Sequence, residues 1–377
     1  MVTALIGALV LSALAAFTLV RFARVHIRFS SDGRGGPQKF HYLPTPRIGG
    51  IAMFAGLVLG FVLLESHGHL KSGEVVSLIL SMLPVFAIGL VEDLTKGVRP
   101  HVRLIASFVA AAMAFWLLNA ELRRLDIPVL DMFLQITPIA FVVSIICVAG
   151  LVHAFNIIDG YNGLAAGVGV IILLALAYVA IQVNDRFLFL LCAVSVASLL
   201  GFLISNYPSG SIFAGDSGAY LMGFQVGLIS ILLVMRNPQV SAWFPLLLAV
   251  YPVWETLFSI YRKKLVRGRS PNAPDGLHLH MLIYKRLVRL GEGEALPRHR
   301  IRRNSQTSPY LWVITTLSAL PAILFWKNTP LLAAFTLAFI LGYCRFYWSI
   351  VRFRSPKWLQ RRIAVAPFDV GAVTEKT

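Results

Sequence analysis

Residues 2–20 form a run of nineteen positions without a single charged side chain. Runs of this kind recur along the chain, and they constrain its fold more than any other feature. A bilayer's hydrocarbon core, about 30 Å thick, is crossed by roughly 20 apolar residues of helix. Scanning at that length predicts about eleven spans, near residues 2–21, 48–66, 74–91, 101–119, 136–155, 163–183, 187–205, 218–235, 240–261, 309–326 and 329–350. None shows the period-two alternation of a transmembrane barrel strand. The expected fold is therefore all-α: a polytopic integral membrane protein with 10–11 transmembrane helices. Composition agrees, because only 14% of the 377 residues are charged and 57% are apolar, whereas soluble proteins are about a quarter charged. A soluble enzyme, a disordered chain and a secreted disulfide scaffold are excluded. The first run has no Lys or Arg ahead of it and is long for a signal-peptide core, so it is expected to stay as a helix. Residues 1–350 are expected to form one helical domain containing a large loop at 262–308, followed by a tail at 351–377. Cys147, Cys192 and Cys344 lie in apolar stretches and form no CxxC or Cys/His cluster, which argues against disulfides and zinc.

The charges are lopsided: 34 Lys and Arg against 17 Asp and Glu, a formal net of +17. With eleven spans the loops divide into two sets on opposite faces. The set near 22–47, 92–100, 156–162, 206–217 and 262–308, with the tail, holds about 26 of the basic residues; the other holds about six. By the positive-inside rule the first set and the C-terminus are expected in the cytoplasm, with the N-terminus opposite, in a cell inner (plasma) membrane that the chain crosses many times. The basic excess is thereby assigned to topology and membrane lipids, not to nucleic acid.

The loops on the basic face also hold unusual polar segments. Glu92 and Asp93 end the third span, where the helix dipole disfavours carboxylates. Asn156 to Leu164 reads Asn-Ile-Ile-Asp-Gly-Tyr-Asn-Gly-Leu, and Phe213 to Gly218 reads Phe-Ala-Gly-Asp-Ser-Gly. Thr45 to Gly50 reads Thr-Pro-Arg-Ile-Gly-Gly, and Pro274 to His280 contains His278 and His280. Singly, each has a plain structural reading: a solvated helix end, a tight turn, an Asp capping the next helix. The Leu279, Leu282, Ile283, Arg286, Leu287 and Leu290 spacing reads as a basic amphipathic helix on the bilayer surface. Jointly, Glu92, Asp93, Asp159 and Asp216 mark three helix–loop junctions on one face. Hard oxygen ligands of this kind suit Mg²⁺, which takes one or two carboxylates together with substrate phosphates, and the surrounding basic residues suit a polyanionic substrate. Glu255, inside the ninth span, reads as either a carboxylate paired within the bundle or one facing the site.

The series resembles the polyprenyl-phosphate N-acetylhexosamine-1-phosphate transferases, the MraY/WecA-like superfamily of glycosyltransferase family 4. The matching segments are TPRIGG at 45–50, the acidic pair at 92–93, NxxDGxNGL at 156–164, FxGDSG at 213–218 and PDxxHLH at 274–280; the last is closer to the WecA-like branch. The resemblance implies a cytoplasmic catalytic face and a membrane groove for an isoprenoid. It also implies transfer of HexNAc-1-phosphate from a UDP-N-acetyl-hexosamine to polyprenyl (undecaprenyl) phosphate, releasing UMP, with Mg²⁺ (or Mn²⁺) required. This would initiate a cell-surface glycan. Carried over by position, Asp216 resembles the metal ligand, and Asp93, Asp159 and Glu92 the catalytic carboxylates. Asn156, Asn162, Phe213, His278, His280, Arg298, Arg300 and Arg47 resemble substrate-binding residues. Glu92 stands where the family commonly has Asp, Asn162 where some members have Asp, and Met281 where a further histidine is usual. Competing readings are a transporter or flippase of lipid-linked sugars and a non-catalytic scaffold of a glycan-assembly complex. The Gly163/Gly167 pair is expected to set helix contacts within the bundle, with a homodimer as the other reading.

Overall fold

A computed structural model describes residues 1–31, 44–266, 268, 276–291 and 296–363. Pro274 and Asp275 of the histidine-bearing segment, and the end of the tail from residue 364, lie outside the described residues. In chain order the helices are α1 (Val2–Arg21), α2 (Ala23–Ser30), α3 (Gly49–Ser66), α4 (Ser72–Thr95), α5 (Pro100–Leu118), α6 (Pro128–Leu134), α7 (Thr137–Ile158) and α8 (Leu164–Gln182). They continue with α9 (Arg186–Asn206), α10 (Gly215–Arg236), α11 (Trp243–Leu248), α12 (Val250–Tyr261), α13 (Leu279–Arg286), α14 (Pro297–Ser305), α15 (Ser308–Leu324) and α16 (Thr329–Val351). Two three-residue strands, β1 (Val288–Leu290) and β2 (Arg361–Ile363), pair in parallel. The protein is an all-α polytopic membrane protein: ten of its helical stretches are long and apolar enough to cross a bilayer.

The ninth expected span differs from a single helix. It is split into α11 and α12 with Ala249 between them. Pro252 explains the position of the break. It has no N–H to donate to the carbonyl of Leu248, four residues earlier, and its ring crowds that carbonyl. The expected surface helix also differs. Leu279 through Tyr284 are all buried, and the helix stops at Arg286 because Val288–Leu290 pair with β2. Arg286 reaches the carbonyls of Ile350 and Val351 at the end of α16. The described part of the tail is therefore packed onto the large loop.

The middle of the bundle is α10, buried along nearly its whole length and packed against α3, α4, α7 and α8. Two glycines of neighbouring helices allow this approach: a Cβ on Gly50 of α3 or Gly89 of α4 would collide with Ser217 in the first turn of α10. Small residues at helix contacts are how membrane helices pack closely. Gly167 of α8 does the same against Trp312 of α15, within the bundle.

Candidate active site

The first turn of α10 gathers three of the sequence motifs into one cluster. The backbone of 46–50 runs alongside 213–214: Phe213 N–H donates to Pro46 O (2.8 Å), and Gly49 and Gly50 N–H donate to Phe213 O and Ala214 O (both 2.9 Å). Gly215 takes φ +71°, a conformation that favours glycine, and any Cβ there would strike the carbonyl of Arg47. The TPRIGG and FxGDSG segments thus interlock through main chain, and this directs Arg47 and Asp216 toward each other.

Asp93, 1% exposed, meets this turn from the end of α4. Its Oδ1 accepts from the Asp216 backbone N–H (2.7 Å), and its Oδ2 accepts from the Ser217 N–H (3.0 Å) and hydroxyl (2.6 Å). The amides at a helix N-terminus lack intrahelical acceptors, and a carboxylate there is favoured by the dipole. Asp93 therefore caps α10 from outside the helix. Glu92 turns the other way: it accepts from the Val98 N–H (2.8 Å) and lies 3.7 Å from Arg103.

Asp216, 4% exposed, is the hub. Oδ1 accepts from Arg47 Nη2 (3.2 Å) and Asn156 Nδ2 (3.1 Å). Oδ2 accepts from Arg103 Nη1 (2.8 Å) and the Tyr220 hydroxyl (3.2 Å). A carboxylate has about four lone-pair sites, so protein donors fill them all. Asp159 caps the end of α7 and is half-buried. Its carboxylate hydrogen-bonds to no described side chain. Burial, reinforced by the charge of Asp216 and opposed by Arg47, pushes its pKa up to about 7.

The other predicted residues fall in two places. His278 and His280 are buried, with their rings stacked 5.3 Å apart. His280 lies edge-on to Tyr161 and next to Gly160, beside Asp159, so the histidine segment folds over the 156–164 loop. Burial holds the His280 imidazole down to about 3, with His278 adding to the effect. Asn162 is buried within loop packing: its N–H donates to Asn304 Oδ1 (2.8 Å), its side chain to Pro208 O (3.0 Å), and its carbonyl accepts from Ser308. Phe213 is half-buried, while Arg298 and Arg300 are exposed on α14.

Glu255 is fully buried and ties three helices together. Oε1 lies 2.9 Å from His278 Nδ1, the carboxylate accepts from the Leu279 N–H, and it also accepts from the Tyr343 hydroxyl of α16. Of the two readings open for it, the structure places it in bundle pairing that holds the histidine segment. Sequence reasoning missed Arg103, Tyr220 and His153, whose ring lies edge-on to that of Tyr220 at 5.6 Å. Tyr220 is four residues beyond Asp216 and His153 three before Asn156, spacings that share a helix face. Arg103 carried no such signal, since Lys96 and Arg99 both lie nearer the acidic pair in the sequence.

Among the described residues no three His, Cys, Asp or Glu side chains form a metal cluster. The donors do fit a cation held jointly by protein and phosphate. Such a site needs only one or two carboxylates; the unbonded carboxylate of Asp159 would supply one, and Asp216 a second once one of its four donors turns away.

Residues 75–234, which span α4 to α10 and hence Asp93, Asp159 and Asp216, match the profile of "Glycosyl transferase family 4". The chain is similar to a probable undecaprenyl-phosphate N-acetylglucosaminyl 1-phosphate transferase of Bacillus subtilis, 26% identical over 68% of this chain and 70% of that one. It is also similar to the decaprenyl-phosphate N-acetylglucosaminephosphotransferase of Mycolicibacterium smegmatis, 29% identical over 79% and 77%. The undecaprenyl-phosphate alpha-N-acetylglucosaminyl 1-phosphate transferase of Yersinia pestis is 27% identical over 88% of each chain.

Proposed function

We propose that this protein is a member of that glycosyl transferase family and transfers HexNAc-1-phosphate from a UDP-N-acetyl-hexosamine to a polyprenyl phosphate, as the first step of a cell-surface glycan. The observation that carries this reading is the convergence on Asp216 of Arg47, Arg103, Asn156 and Tyr220 from four helix ends or loops. The names of the relatives support the acceptor class and the N-acetylglucosamine-phosphate donor. An oxygen of the lipid phosphate attacks the β-phosphorus of the nucleotide sugar; the bond from that phosphorus to the bridging oxygen breaks, and UMP leaves with the electron pair.

Such a transfer is mainly placement and charge control. Two anions must be brought together where the dielectric is low and repulsion is costly. Arg47 and Arg103 supply donors that can pass from Asp216 to phosphate oxygens. Asn156 orients the Asp216 carboxylate, and Asp93 fixes the turn that carries it. The histidine segment covers the 156–164 loop and excludes water from one side. Mg²⁺, held by Asp216 and Asp159 with the diphosphate, would neutralise the leaving phosphate. Because the lone pairs of Asp216 are already filled, holding a cation would require one of its four donors to turn away, and Arg47 or Arg103 could then serve substrate phosphate oxygens. The count of basic residues supports a cytoplasmic site in the plasma membrane.

The experiment is UMP release by the purified protein from a panel of UDP-sugars, with polyprenyl phosphate and Mg²⁺, and the lipid product identified by mass. Release that depends on both the lipid and the cation supports the proposal. Movement of a lipid-linked sugar across a vesicle without UMP would instead establish a transporter.

A further inference from the structure

Away from Asp216, α11, α15 and α16 enclose an apolar hollow of about 770 Å³, within the range of about 300–1,000 Å³ typical of ligand pockets. Val313, Leu317, Phe335, Phe339 and Phe346 form much of its wall, and Arg361 lies at its edge. Three observations bear on what fills it. First, the segment that closes one end, residues 352–363, carries Arg352, Arg354, Lys357, Arg361 and Arg362 with no acidic residue. Arg361 is exposed; its backbone N–H donates to Leu287 O (2.8 Å), while its guanidinium makes no hydrogen bond or ion pair with a described residue. Secondly, this segment leaves the end of α16 that bears the histidine-segment contacts, so it sits at the same end of the bundle as Asp216. Trp358, 82% exposed, stands there as an interfacial aromatic does. Thirdly, Gly342, in the interior of α16, lines the hollow, and a Cβ built on it meets nothing within 4 Å. Helix-interior glycine costs about 1 kcal/mol against alanine, and here its effect is to leave the space open.

We propose that this hollow is a binding site for an anionic glycerophospholipid, with an acyl chain between α15 and α16 and the phosphate on Arg361. An apolar space of this size between membrane helices is filled by hydrocarbon, and a basic pocket between helices beside the headgroups selects anionic lipid. The site is separate from the one that would hold the acceptor lipid phosphate, since the Asp216 cluster is built from α3, α4, α5, α7 and α10, none of which lines the hollow.

The test is lipid retention by the full chain, independent of transfer activity. The protein is reconstituted in phosphatidylcholine nanodiscs with and without phosphatidylglycerol, released into mild detergent and weighed intact by native mass spectrometry. Wild type is expected to retain phosphatidylglycerol in preference to phosphatidylcholine. Arg361→Gln should weaken that preference about fivefold, at about 1 kcal/mol per basic residue. Gly342→Leu, which fills open space and favours the helix, should abolish retention of either lipid while keeping the native circular dichroism and elution. Equal retention of both lipids by wild type overturns the proposal, as does unchanged phosphatidylglycerol binding in Gly342→Leu. A retained polyprenyl phosphate, identified by its mass in protein purified from its membrane, would overturn it in favour of an acceptor-lipid site.

Discussion

The carboxylate of Asp93 accepts the backbone N–H of Asp216 at 2.7 Å, so one acidic residue of the cluster holds the main chain of another. Asp93→Asn replaces one of the two accepting oxygens by a donor that faces N–H groups. Orphaning a buried donor costs about 1–3 kcal/mol. The variant is expected to lose thermal stability together with activity, and a Tm equal to wild type in detergent would contradict the capping role.

Asp216→Asn separates the two effects. Its remaining oxygen still accepts from Arg47 or Arg103, and Asp93 still caps the helix. Turnover should fall by about 10²–10³-fold, the scale of losing one preorganised electrostatic contact, and Tm should fall less than in Asp93→Asn, because the partly exposed Arg47 and Arg103 can turn from the new amide to water whereas main-chain N–H groups cannot. UMP release at the wild-type rate would remove Asp216 from the centre of the site.

How much of this was legible beforehand differs between parts of the molecule. The long helices follow from apolar runs that a bilayer alone explains, and the motifs at 45–50, 92–93, 156–164 and 213–218 do converge. The split of the ninth span was less readable. Pro84 and Pro321 lie inside unbroken helices, because neighbouring groups can satisfy a freed carbonyl in a membrane bundle. Only packing reveals that Pro252 coincides with a break. Asp93 and Asp216 read alike as acidic residues beside glycine-containing junctions, yet one binds main chain and the other gathers side chains. That distinction depends on how α4 meets α10, which no local pattern encodes.

Arg103 faces Asp216 at 2.8 Å and Glu92 at 3.7 Å with the same nitrogen. Lysine offers a point charge in place of the planar fork. Arg103→Lys is expected to lower kcat/KM about tenfold to a hundredfold, equivalent to one charge-assisted hydrogen bond of about 1.5–3 kcal/mol. The comparison is made by steady-state UMP release at varied nucleotide sugar.

Glu255→Ala leaves the Leu279 N–H, the Tyr343 hydroxyl and the His278 ring without their shared partner. The segment 276–290 should then become accessible to hydrogen exchange, whereas Glu255→Gln, which keeps one accepting oxygen, should retain part of the protection. Equal protection in Glu255→Ala and wild type would show that other contacts hold the histidine segment.

His280 gives a pH dependence with a defined sign. Its pKa is held at about 3 in the fold against 6.5 for the free side chain. Below pH 6.5 the unfolded chain therefore binds more protons than the folded one, and stability falls as the pH drops. Its contribution is complete above pH 6.5 and declines from there toward pH 3. His280→Asn, which cannot titrate, should show a shallower loss of Tm between pH 6.5 and 4.5 than wild type.

The split between α11 and α12 has a mechanical consequence. A long transmembrane helix answers a change in bilayer thickness by tilting as a rod, and the tilt at one end is transmitted to the other. Here the expected ninth span, which carries Glu255, is two short rods joined at Ala249, so a thickness change that reorients α11 is not passed rigidly to α12. The residues that hold the histidine segment are thereby insulated from the composition of the far leaflet.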